Sequence, residues 1–74
     1  MNKPKLNNLL NTLCVEYGFC LIPEAKDRLI GLSITDPKEF INTLIREEGL
    51  EPETIDLHLY RAMLDLVRQA MREP

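Results

Sequence analysis

The sequence predicts an all-α fold, a single-domain bundle of four helices, and three observations predict it. Four of the five prolines stand where an apolar-periodic segment begins: Pro4, Pro23, Pro37 and Pro52. The three glycines, Gly18, Gly31 and Gly49, stand where the first three segments end. Within the longer segments the apolar residues recur three and four positions apart, the one-face spacing of an amphipathic helix. Proline is tolerated in a first helical turn because its missing N–H would have no intrahelical partner there. Glycine takes the left-handed conformation that closes a C-terminus. Together these signals place helices at 4–17, 23–31, 37–48 and 52–73.

In the first helix Leu6, Leu9, Leu10, Leu13, Cys14 and Tyr17 form the apolar stripe. Asn7, Asn8 and Asn11 lie mostly off it and read as a solvated face. After Gly18 the run Phe19-Cys20-Leu21-Ile22 is apolar but meets Pro23 before a helix can form. A residue before proline is pushed toward extended conformations, so this run reads as a buried crossing segment anchored by Phe19. The second helix is short, with Ala25 and Leu29 inward and Ile30 or Leu32 beside them. The third has the clearest start. Asp36, Pro37 and Glu39 supply a cap, a first-position proline and an acid three residues after the cap, which resembles a capping box. Phe40, Ile41, Leu44 and Ile45 are its apolar face, and Gly49-Leu50 ends it.

The last helix is the longest and carries two adjoining apolar stripes. One holds Ile55, Leu59, Ala62, Met63, Leu66 and Ala70, the other Leu57, Tyr60, Leu64, Val67 and Met71. Together they span roughly 220° of the circumference, well beyond the roughly 100° that a helix packed on one side needs. His58, Arg61, Asp65, Arg68, Gln69 and Arg72 occupy the opposite face.

Composition bounds the function. The chain has 74 residues, 45% of them apolar, and a net charge of −3. That length makes one domain. Burial in so small a core barely exceeds the ordering cost of roughly 1.5 kcal/mol per residue, so a disulfide, a metal or a second subunit often helps. The acidic balance opposes nucleic-acid binding, which leaves a basic footprint. A helix-turn-helix reading of the second and third helices fails similarly. Its recognition face would present Lys38, Glu39, Asn42, Thr43, Arg46, Glu47 and Glu48, with more acids than bases against the phosphates. No apolar run approaches the roughly 20 residues that cross a bilayer, and the start is too polar for a signal-peptide core. The expected location is cytoplasmic, with neither nucleic acid nor membrane as partner.

Two cysteines are too few for a disulfide framework. Cys14 lies on the first apolar stripe and Cys20 in the crossing segment, so both are expected as buried free thiols packing as small hydrophobes. A Cys14–Cys20 bridge would close only a short loop. His58 is the only histidine, no metal-ligand spacing accompanies it, and no metal or cofactor is expected. No catalytic set emerges. His58 has no carboxylate three or four residues away, Glu47 and Glu48 point in different directions on a helix, and Ser33 and Thr35 have no neighbouring base.

The order Tyr17-Gly18-Phe19, a short helix ending in Leu29, and a proline-started helix bearing Phe40-Ile41 and Leu44-Ile45 resembles a ubiquitin-associated domain. That family is a compact three-helix bundle with a Met-Gly-Phe type loop after its first helix. The resemblance spans residues 6–49 and implies Tyr17, Gly18, Phe19, Leu44 and Ile45 as protein contacts. The chain departs from the family at Tyr17, at Arg28, where the family has a small residue, and in its added fourth helix. The run from Leu13 to Pro23 is also similar to small bacterial proteins, a resemblance that implies a cytoplasmic location and no established activity.

The expected function is a non-enzymatic protein-interaction or assembly module. It would be a homodimer through the last helix, with Leu57, Tyr60, Leu64, Val67 and Met71 at the contact. The structural alternative places that helix centrally within one bundle, buried on both stripes. The functional alternatives are a small regulator that inhibits another protein, of the antitoxin, immunity or anti-defence type, and a ubiquitin-associated-like binding domain.

Overall fold

The computed structural model describes residues 3–72. It contains α1 (Lys3–Tyr17), α2 (Pro23–Gly31), α3 (Pro37–Glu47), a 3-10 turn (Pro52–Thr54) and α4 (Leu57–Arg72), with no strand among the described residues. The fold is the all-α, four-helix one that the proline and glycine spacing predicts. Residue 73, the end of the predicted fourth helix, lies outside the described residues.

Local chemistry sets the helix ends. Asp36 is extended and its Oδ2 accepts from the Glu39 N–H at 3.3 Å, capping α3 as the Asp-Pro-Lys-Glu order anticipates. Gly49 ends that helix with φ 81°, its N–H reaching the Arg46 carbonyl at 2.9 Å and the Leu50 N–H reaching Ile45 at 3.2 Å. This is the paired closure of a Schellman motif. Gly18 does similar work at φ 77°. Its N–H bonds to the Cys14 carbonyl at 3.0 Å and that of Phe19 to Leu13 at 3.2 Å, which turns Phe19 back under α1.

Three expectations are corrected. The helix α2 ends at Gly31 as predicted, but the left-handed closing position is not the glycine: Ser33 takes it two residues later, at φ 52°. The α2 C-terminus is tightened by i→i−3 bonds from Leu32 to Leu29 and from Ser33 to Ile30, which carries the turn past the glycine.

Pro52 does not open the last helix. It begins a single 3-10 turn, which ends at Ile55 in an extended conformation (φ −86°, ψ 160°). Asp56 is the true cap: its Oδ2 accepts from the Leu59 N–H at 3.0 Å and its carbonyl from the Tyr60 N–H at 2.9 Å. A side-chain acceptor stabilises a helix start more than proline does, so α4 begins at Leu57.

The cysteines are not free thiols. Cys14 and Cys20 form a disulfide with a Cα–Cα distance of 4.3 Å. Cys14 is half-buried on the flank of the α1 stripe and Cys20 is exposed. The turn at Gly18 sends Phe19 into the core, and Cys20 thereby emerges beside Cys14 on the outside.

One core joins all four helices. Its fully buried side chains are Leu13 from α1, Leu29 from α2, Phe40, Ile41, Leu44 and Ile45 from α3, and Met63 and Val67 from α4. Half of that set comes from α3, which is the bundle's most buried element. Burying a side chain of this kind stabilises by roughly 1.5–3 kcal/mol. The helices α1 and α3 each pack against both α2 and α4, which closes the bundle. The Cα radius of gyration is 11.2 Å, matching the roughly 11 Å expected of a compact chain this long.

Candidate functional site

The two stripes of α4 face two different helices. Leu66 and Ala70 line a shallow groove with Asn8, Leu9 and Thr12 of α1. On the other side the Tyr60 hydroxyl donates to Asn42 Oδ1 of α3 at 2.7 Å. Met63 and Val67 between them are fully buried, and Leu64 is 8% exposed. The wide apolar arc is therefore occupied largely within one chain, by α1 and α3 together.

This placement divides the residues expected at a dimer contact. Leu64 and Val67 are core residues, out of reach of another molecule while the bundle is closed. Tyr60 and Met71 are half-buried and pack against the core. Leu57 is 57% exposed. It lies where the 3-10 turn meets the start of α4, and that corner carries an open depression of about 270 Å³ lined by Lys38, Pro52, Glu53, Ile55, Leu57 and Tyr60. Four of the six are apolar or aromatic, and the remaining two carry opposite charges. Pro52 sits at this corner because it begins the 3-10 turn and not the long helix. Thr54 ties the turn down, its N–H at 3.0 Å and its hydroxyl at 2.8 Å from the Glu51 carbonyl.

The sequence reading missed Lys38, Pro52, Glu53 and Ile55 as members of this corner. The available signal was Asp56. As an N-cap it detaches residues 52–55 from the helix and folds them into a separate turn.

The residues implied by the ubiquitin-associated resemblance are not gathered at the surface. Phe19 is 7% exposed, and Leu44 and Ile45 are fully buried in the core. Only Gly18 is exposed, with Tyr17 half-buried. The left-handed turn at Gly18 aims Phe19 inward, and α3 packs against α2 and α4 with Leu44 and Ile45 in the shared core.

A cavity of about 310 Å³ lies where α1 begins and α2 runs into α3, lined by Lys3, Leu6, Leu29, Ile30, Ser33, Ile34, Thr35 and Phe40. Its lining has no carboxylate, imidazole or thiol, so it offers no acid–base pair. His58 is exposed on α4. No group of three or more His, Cys, Asp or Glu side chains is placed to hold a metal ion among the described residues. No helix there is long and apolar enough to cross a membrane.

The clearest electrostatic contact fastens α2 to α3. Arg28 holds Glu47 through two bonds, Nη2 to Oε2 at 2.8 Å and Nε to Oε1 at 3.4 Å. The hydrogen bond from Arg28 is the main cause that holds the Glu47 carboxyl below its ordinary range; desolvation opposes it and the Arg28 charge reinforces it. The same hydrogen bond, with the Glu47 charge, raises the Arg28 guanidinium further. Arg28 thus bridges α2 and α3 at the surface. No protein-family model matches the chain, and no curated protein or solved structure matches it either.

Proposed function

We propose that the protein is a small non-enzymatic interaction module that self-associates through the corner formed by the 3-10 turn and the start of α4. The observation that carries this reading is the apolar lining of Pro52, Ile55, Leu57 and Tyr60, with Leu57 more than half exposed. Leu57 adjoins Pro52, Ile55 and Tyr60, so the apolar surface at this corner is contiguous, and a protein contact would remove it from water.

A second copy is the occupant that fits the charges. Lys38 and Glu53 line the same corner, so a two-fold contact can set each against its opposite on the other molecule. The contact is narrower than the one expected from the stripe of α4 alone. Leu64 and Val67 drop out of it, while Leu57 and Tyr60 remain.

Sedimentation equilibrium at micromolar concentration tests this reading. The unaltered chain should sediment as a dimer and Leu57→Lys as a monomer with an unchanged far-UV circular dichroism spectrum. A chain that stays monomeric throughout that range would refute self-association.

A further inference from the structure

We infer that the Cys14–Cys20 bond is a site of reversible thiol–disulfide exchange, which external thiols open and close without unfolding the bundle. Two observations carry this. The first is access. Cys20 is exposed and Cys14 half-buried, so a thiolate reaches the bond from solvent. Exposed disulfides are the labile class, in contrast to buried structural ones.

The second is redundancy. The bond spans a sequence separation of only six. Within that span the backbone is already held by the Gly18 N–H on the Cys14 carbonyl at 3.0 Å and the Phe19 N–H on the Leu13 carbonyl at 3.2 Å. Phe19, 7% exposed, anchors the same turn in the core. The turn therefore has its own supports when the bond opens.

The exchange balances with two equivalents of a thiol. The first, as thiolate, attacks the exposed Sγ of Cys20; a new S–S bond forms to Cys20 as the Cys14–Cys20 bond breaks. Cys14 leaves as a thiolate and takes a proton from solvent. The second thiolate attacks the external sulfur of the mixed disulfide and releases Cys20, which is protonated in turn. Two electrons pass to the cysteine pair, which ends as two thiols, and the external thiols end joined as their own disulfide. The two protons they gave up match the two that the pair gained. Oxidation is the reverse. What changes is the tether on Cys20, Leu21 and Ile22, the short segment between the Phe19 anchor and α2.

The full chain should be equilibrated with mixtures of reduced and oxidised glutathione, trapped by acid and alkylation, and weighed by mass spectrometry, with far-UV circular dichroism recorded on the same samples. The inference predicts one two-electron transition within the glutathione range, with the helical signal kept at both ends. Cys14→Ser, which leaves the exposed thiol, should form the glutathione adduct on the order of tenfold faster than Cys20→Ser, because exposure governs access to the sulfur. A pair that never oxidises, or one that no thiol in that range reduces, would overturn the inference. So would loss of the helical signal on reduction, which would make the bond a structural staple. Equal adduct rates in the two variants would overturn the assignment of Cys20 as the attacked sulfur.

Discussion

Gly49 and Ser33 share a left-handed backbone with opposite consequences. A Cβ added at Gly49 would meet nothing within 4 Å, so the cost of replacing it is conformational and not steric. At φ 81° an L-residue is strained. Gly49→Ala should therefore lose about 1 kcal/mol in urea unfolding. Ser33 already bears such a conformation at φ 52°. Ser33→Gly should relieve it, and after the added freedom of the unfolded chain the net gain should be about 0.5 kcal/mol. A loss at Ser33 would show that its side chain holds the turn. Of the left-handed positions, Gly18 and Gly49 were legible because glycine takes φ above zero without strain. Ser33 was not, because nothing in its type marks it out and Gly31 stood two residues away as the better candidate.

The cysteines show the same limit. Cys14 falls on a helical stripe and Cys20 in an apolar run, so each alone reads as a buried hydrophobe. Their pairing depends on the direction that the chain takes after Gly18, and residue types do not encode that direction.

At the scale of the elements, caps and cross-helix bonds decide where each helix stands. The start of α3 was legible because aspartate and proline agree at positions 36 and 37. At the start of α4 they disagree: Pro52 marks one start and Asp56 another. The side-chain bond to the Leu59 N–H at 3.0 Å decides it. Asp56→Ala should cost about 1 kcal/mol and fray the first turn of α4, read as lost amide protection at Leu59 and Tyr60. That loss would also loosen the corner that carries Leu57, so the same variant should weaken the proposed self-association.

The Arg28–Glu47 pair joins α2 to α3 and makes a pH-dependent contribution. The folded-state pKa of Glu47 is lowered from 4.5. Its contribution is thus fully present above that ordinary value and is lost as pH falls through the lower folded value. Glu47→Gln should flatten this part of the acid limb in thermal melts. Added salt should shrink the difference between the two proteins, because the pair is largely in contact with water. An acid limb unchanged by the substitution would show that the pair carries no stability.

Across the whole molecule the governing feature is that α4 is apolar on two sides and has a helix on each. The breadth of its apolar arc was legible at once from the 100° spacing of its residues. What covers the arc was not. Periodicity gives the width of a buried face, but not whether the cover is a second chain or two helices of the same one. In the structure α1 takes the side of Leu66 and Ala70, and α3 takes the side of Tyr60. Leu64 and Val67 consequently belong to the bundle, and of the residues expected at a dimer contact Leu57 is the exposed one.

Urea unfolding of Val67→Glu, followed by far-UV circular dichroism beside Leu57→Lys, tests this arrangement most directly. Val67 is fully buried, and a charge placed there without a partner costs several kcal/mol, on the order of the total stability of so small a bundle. In this arrangement Val67→Glu has no cooperative helical transition, while Leu57→Lys unfolds within about 0.5 kcal/mol of the unaltered chain under conditions where both are monomeric. A Val67→Glu protein that folds with the helical content and midpoint of the parent would contradict it, and would place Val67 on an outer face of the bundle.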